Sequence, residues 1–233
     1  MSILNEWADL FPVLAPGLWV SVKLTVAALI IGLVVGLGFA LAGTSRRGWL
    51  KWSSIGLVEL GRGLPGLIML YLVYYGLPQL GLTLGNFVAA SIALGLTTGA
   101  YMSEIMRAGI SAVPKGQREA SRALGLGPWK ELRLVVLPQA LRIVVPPLIG
   151  YGIILFQATS LAFAISTPEL LSRAYNAASI SFQYTASLTL AGLMYLVISL
   201  AGVLMTGLWR GPRSRFAAPR RTAPPATTSL PVR

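Results

Sequence analysis

Between Leu18 and Ala42 the chain carries one charged side chain, Lys23, in a run of about 25 residues. A helix of that length crosses a hydrocarbon layer of roughly 30 Å. Hydrocarbon offers no water to backbone N–H and C=O groups, so an uninterrupted apolar run of this kind is constrained to be helical. Comparable runs follow at about 64–80, 87–108, 139–165 and 185–209. The expectation is an all-α integral membrane fold with about five transmembrane helices embedded in a lipid bilayer. Composition agrees: 55% of the 233 residues are hydrophobic and 11% charged, more apolar surface than a soluble domain of this size could hide. Gly32 and Gly36 form a G-x-x-x-G within the first run, a spacing that lets membrane helices pack closely.

The connections set the expected orientation. Arg46, Arg47 and Lys51 follow the first run, a longer basic segment follows the third, and residues 211–233 form a Pro- and Arg-rich tail. The other connections and the acidic-aromatic lead, residues 1–14 with Glu6 and Asp9, are nearly free of Lys and Arg. Basic connections stay in the cytoplasm, which puts the N-terminus outside and the C-terminus inside. A transmembrane domain over 15–210 with a disordered cytoplasmic tail is the expected layout, and the lead lacks the basic start of a cleavable signal peptide. The net charge of +12 belongs to these connections, so no nucleic-acid partner is expected. With neither Cys nor His in the chain, thiolate and imidazole metal sites and His-based acid–base chemistry have no ligands or bases, and neither a metal nor a catalytic residue is expected. Two irregularities are expected within the apolar runs. Gly61-Arg62-Gly63-Leu64-Pro65-Gly66 breaks a helix ending at Leu60 from the second span, and Pro146-Pro147 implies a kink in the fourth.

The segment from Pro114 to Pro138 is the long polar interruption, with seven charges from Lys115 to Arg133. Pro114 on one side and Gly125, Gly127 and Pro128 on the other bracket a short helix. Within it Gln117, Ala120, Ser121 and Leu124 share one face while Arg118 and Arg122 share another. Such a helix can be an ordinary solvated loop or a docking element with a smooth face.

The residues in order resemble a known family. Glu119-Ala120-Ser121, three residues, Gly125, nine residues and Val135-Val136-Leu137-Pro138 are similar to the E-A-A, x3, G, x9, I-x-L-P signature of permease subunits of bacterial ABC importers. Ser121 and Val135 are conservative departures. The resemblance extends to Glu59, Arg62, Gly63 and Pro65, to Ala100, Tyr101, Glu104 and Arg107, and to Leu137-Pro138-Gln139-Ala140-Leu141-Arg142, Thr159-Ser160-Leu161 and Glu169-Leu170. These look like the subgroup that imports polar amino acids and opines, the histidine/glutamine permease-like proteins, although Gln157 and Ala158 stand where that subgroup commonly has Lys-Asp. The resemblance implies a coupling helix between spans three and four, with Gly116, Gln117, Glu119, Ala120, Ser121, Ala123, Leu124, Gly125, Leu137 and Pro138 contacting an ATPase. It also implies the partners: two ABC ATPase subunits, a second identical or homologous permease chain and an extracytoplasmic solute-binding protein. No G-x-x-x-x-G-K-[ST] loop occurs in the chain, so no cofactor is expected here and ATP with Mg belongs to the partner.

Charged and polar side chains inside apolar runs need a reason, because an ionised group at the bilayer centre costs on the order of 2.5–3.5 kcal/mol. Glu59 with Arg62 and Glu104 with Arg107 are each spaced to pair along a helix. Together with Tyr101 and the neutral Gln157, Thr159 and Ser160 they are candidates for a substrate path or gate. Their plainer reading is self-neutralising pairs and hydroxyls bonded back to their own helix. A rival function is a secondary transporter driven by an ion gradient, which would favour inverted repeats that an odd number of spans does not supply.

Overall fold

The computed structural model describes residues 3–45 and 47–209, and the expected tail at 211–233 lies outside the described residues. The described residues are helical, with short turns between helices. Helix α1 (Ile3–Gly43) begins well before the first apolar run. The lead, expected as a separate segment, is the first part of this helix, which passes through Pro12 and Pro16 without a break. At 1.5 Å per residue its 41 residues measure about 60 Å, twice a bilayer's hydrocarbon thickness. The added length is held by tertiary packing: Trp7, Leu10 and Leu14 join a core with residues near the other end of the chain.

Helix α2 (Gly48–Gly63) runs three residues beyond the expected stop. Leu64 then adopts an extended backbone at φ −81°, ψ 132°, as the residue before Pro65 must. Helix α3 (Gly66–Tyr71) leaves at 106° to α2 and continues through irregular helical turns to Leu80. The break expected at Gly61–Gly66 is thus a sharp bend.

Helix α4 (Asn86–Ser111) lies at the centre of the bundle and buries Ala89, Ala93, Thr98, Gly99 and Met102 among others. Its crossing with α1 is built on glycine. A Cβ on Gly36 would lie 2.9 Å from the Gly99 carbonyl oxygen and 3.1 Å from Met102 Cβ, so the two backbones approach as the G-x-x-x-G spacing predicts. The principal core gathers Leu24 and Ala28 of α1, Leu70 of α3, Ala89 and Ala93 of α4 and Leu155 further along the chain.

Past α4 come helix α5 (Lys115–Ala123) and helix α6 (Pro128–Glu131). A wide turn at Leu132–Val136 then leads directly into α7 (Leu137–Ala158). The fourth apolar run is thus the continuation of a helix that begins at Pro128, inside the polar segment. Helix α7 continues through Pro146 and Pro147 without a stop. A tight 3₁₀ turn follows at Thr159–Ile165. The connection expected between the last two spans contains a helix of its own, α8 (Leu170–Ser181), which buries Leu170, Ala174 and Ala178 against its neighbours. Helix α9 (Tyr184–Trp209) completes the described chain.

Three helical stretches are long and apolar enough to cross a membrane, Ile3–Gly43, Pro128–Ile165 and Tyr184–Gly207, and the bent pair α2–α3 would make a fourth. Helix α4, third of the five expected spans, has the length at 26 residues, but its small and polar side chains keep it outside that set.

Candidate functional site

The polar segment folds as a helix and a turn standing beyond the apolar bundle. Pro114 precedes α5 with an extended backbone, and the helix ends in a left-handed residue, Gly125, at φ +74°. Gly125 N–H donates to the Arg122 carbonyl at 2.9 Å and Leu126 N–H to the Ser121 carbonyl at 3.1 Å, the paired bonds of a Schellman stop. A Cβ at φ +74° would be strained, which explains a glycine there.

Two arginines fix this element to the rest of the chain. Arg122 grips Glu131 with two nitrogens, Nε to Oε2 at 2.8 Å and Nη2 to Oε1 at 3.4 Å, closing the turn between α5 and α6. That hydrogen bond and the guanidinium charge hold the Glu131 carboxyl below the usual carboxylate range, and Arg122 is raised in return. Arg118 Nη2 donates to the Ile110 carbonyl at 2.8 Å and so satisfies the end of α4. Ser121 is buried on the inner face and bonds the Arg118 carbonyl, while Gly116, Gln117, Glu119, Ala120, Ala123 and Leu124 are exposed. Leu124 is 80% exposed and Trp129, across the turn, 70%. Leu137 and Pro138 lie apart from α5, exposed on the first turn of α7, where Gln139 Nε2 reaches Gln117 Oε1 at 3.4 Å. The structure therefore divides the predicted docking residues: Ser121 is an internal brace, and the others are surface. Trp129 and Glu131 went unpredicted, although a tryptophan beside a Gly-Pro turn in a polar segment was a visible signal.

The charged candidates within the bundle come together where the second half of α2 meets α4. Arg62 lies 3.6 Å from Glu59, and Arg107 donates to Glu104 at 2.7 Å, so both pairs form along their own helices. The Arg62 guanidinium sits 5.7 Å from the Tyr101 ring centre, and Tyr101 donates weakly to the Arg62 carbonyl at 3.4 Å. Glu59, Glu104 and Arg107 line one cavity with Ser54 and Ser103, of about 60 Å³, room for a few waters rather than a solute. The Tyr101 ring also stacks on Tyr151 of α7, centres 5.3 Å apart.

Gln157 lies six residues beyond Tyr151, about 9 Å along α7, and forms a separate site with the turn after it. Gln157 Nε2 donates to Ser199 Oγ of α9 at 3.1 Å. Buried Thr159 donates back to the Phe156 carbonyl at 2.7 Å and Ser160 to the Gln157 carbonyl at 2.9 Å. The plainer reading of these hydroxyls describes their contacts in this conformation.

Sequence reasoning missed the role of Glu169. This carboxylate is fully buried at the N-terminus of α8 and accepts from Leu171 N–H at 2.9 Å and Ser172 N–H at 2.8 Å, capping the helix. Tyr195 of α9 donates to the same group at 2.8 Å, and Ser21 of α1 lies at 3.4 Å. Three helices therefore meet on one side chain. Its partners are 148 and 26 residues away in sequence, so no local pattern could reveal them.

An all-helical apolar bundle, with two charged pairs formed along α2 and α4 and a clamped, exposed helix-turn beyond it, has the build of a membrane-embedded protein. Residues 32–210 match the family described as binding-protein-dependent transport system inner membrane component, and the chain belongs to that family. Among its relatives, the probable amino-acid ABC transporter permease protein YckA of Bacillus subtilis is 37% identical over 83% of this chain and 86% of its own. The arginine transport system permease protein ArtQ of the same organism is also 37% identical, over 81% and 87%. A crystal structure of an amino acid ABC transporter with histidines superposes with a TM-score of 0.85 at 32% identity, covering 90% of this chain and 97% of that one.

Proposed function

We propose that this chain is the membrane-spanning subunit of an ATP-driven importer that carries a polar amino acid or a related small solute across a bacterial inner membrane. In this reading the bundle spans the bilayer five times, with the N-terminus outside, and the polar segment faces the cytoplasm. The α5 helix-turn seats in a groove of an ATPase subunit. Two such ATPases, a second permease chain and an extracytoplasmic binding protein complete the assembly, with ATP and Mg held by the ATPases. Closure of the ATPase pair pushes on α5, and the Arg122–Glu131 clamp passes that movement to α6 and the long helix continuous with it. The spans then rock between inward-open and outward-open states.

The observation that carries this reading is the helix-turn itself. It is rigid through the Schellman stop and the Arg122–Glu131 clamp, yet presents Ala120, Ala123 and an 80% exposed Leu124 outward, which a solvated loop would not need. The amino-acid class is supported by the names of the relatives and of the superposed structure.

The test is co-purification with the ATPase encoded alongside this chain, comparing wild type with Leu124→Asp. Leu124 makes little internal packing, so the variant is expected to fold and to lose the ATPase. ATPase binding unchanged in the variant overturns the docking surface. Solute uptake that persists without any ATPase overturns the importer and favours an ion-driven carrier.

A further inference from the structure

Helix α9 presents Tyr195 and Ser199 one turn apart, so both hydroxyls lie on one face. Ser199 receives Gln157 and Tyr195 reaches Glu169, and these two partners bracket the 3₁₀ turn Thr159–Ile165. The turn is thus fastened to α9 at both ends. Its exit is held a third time: Asn86, at the start of α4, donates to the Ser166 carbonyl at 2.9 Å, and Ser166 itself sits in the left-handed region at φ 58°. Thr167 N–H returns to the Ala162 carbonyl at 3.1 Å. A non-glycine residue keeps such a backbone only where its surroundings dictate it.

Glu169 is the charge at the centre of this arrangement. A carboxylate has about four acceptor sites, and Glu169 meets four donors, the N–H groups of Leu171 and Ser172 and the hydroxyls of Tyr195 and Ser21. Three of the four converge on Oε2 and Ser172 N–H meets Oε1, and the side chain is fully buried, so its bonds go to the fold. Close approach seals the corner, since a Cβ on Gly17 of α1 would lie 2.9 Å from the Glu169 carbonyl oxygen.

On the transport reading above, we propose that Glu169, clasped by Tyr195, is a positioning residue for solute passage: it locks the exit of the Thr159–Ile165 turn to α9 and α1, and so holds the half-buried Ser160 of that turn in place. The turn and α9 then move as one body when the bundle changes state.

Tyr195→Phe tests this, because it removes one hydroxyl and no packing volume. Two measurements are made on the full chain. In detergent, amide hydrogen exchange over residues 159–172 is expected to quicken at least tenfold in the variant, with the centre of α4 unchanged. In proteoliposomes carrying the assembled transporter, uptake of radiolabelled L-arginine, L-glutamate and L-histidine is compared. For whichever probe the wild type moves, the variant's KM is expected to rise at least fivefold while the maximal rate changes less than twofold. Ser199→Ala should shift KM in the same direction through Gln157. Unchanged exchange overturns the clasp. Quickened exchange with an unchanged KM overturns the positioning role. If the wild type moves none of the three probes, the substrate class fails instead, and the exchange rates still decide whether Glu169 and Tyr195 hold the turn.

Discussion

The Tyr195 hydroxyl lies 2.8 Å from Glu169 Oε2, joining the last helix of the bundle to the N-terminus of α8. Because Glu169 is fully buried and also caps α8, the three helices α1, α8 and α9 depend on one carboxylate. Glu169→Ala would leave the buried Ser172 amide, the half-buried Leu171 amide and a phenol without their acceptor, a buried orphan costing about 1–3 kcal/mol. Thermal unfolding in detergent is expected to show the variant several degrees less stable than wild type. Glu169→Gln, which keeps the shape and one acceptor, should fall between the two.

The α1–α4 crossing gives a contrast between two glycines of one helix. Gly36→Val would drive side-chain atoms into the Gly99 carbonyl and Met102, and overpacking of this kind costs typically 1–3 kcal/mol. A Cβ at Gly38 meets nothing within 4 Å, and Gly38→Ala should be neutral or stabilising by up to about 1 kcal/mol. Size-exclusion profiles and melting temperatures of the two purified variants separate these outcomes.

Gly125 and Gly116 make a similar pair in the polar segment. Both have open space around them, but only Gly125 has a positive φ. Gly125→Ala is therefore expected to cost about 1–2 kcal/mol locally and to loosen the turn, seen as faster amide exchange at Leu126, whereas Gly116→Ala should leave that exchange unchanged.

The Arg122–Glu131 clamp predicts a pH response with a definite sign. Glu131 is held below its ordinary range in the folded chain, so its contribution is fully present above the unfolded carboxylate pKa of about 4.3 and is lost as pH falls through the lower folded value. Amide exchange in the turn 124–127, corrected for intrinsic rates, should stay flat from pH 8 to 5 and quicken only in stronger acid. Glu131→Gln should show the quickened exchange at every pH. A wild-type transition near neutrality would exclude the clamp as its origin.

Much of this architecture was legible because it is written in local chemistry. The G-x-x-x-G of α1, the i, i+3 pairs at Glu59–Arg62 and Glu104–Arg107 and the glycine stop of α5 each appear in the structure where the spacing put them. The division of the predicted docking residues was not legible. Ser121 and Ala120 are adjacent and both small, and only the packing beneath α5 decides that one turns inward and the other outward. The lead of α1 and the whole of α8 escaped because neither is apolar throughout. Each is held by long-range contacts of Leu14, Leu170 and Ala174 in a shared core, not by its own periodicity.

The sequence by itself determined the helical class, the apolar runs and the places where the chain must bend or stop, because backbone hydrogen bonding and the steric limits of Gly and Pro act within a few residues. Tertiary structure alone decided that Glu169 is the buried meeting point of α1, α8 and α9, and that Tyr195 and Ser199 fasten both ends of one turn. A buried charge is tolerable only when it is hydrogen-bonded, and beyond its two local cap donors Glu169 takes Tyr195 and Ser21 from elsewhere in the chain. Which donors arrive is a property of how the helices cross, and no span of sequence contains it.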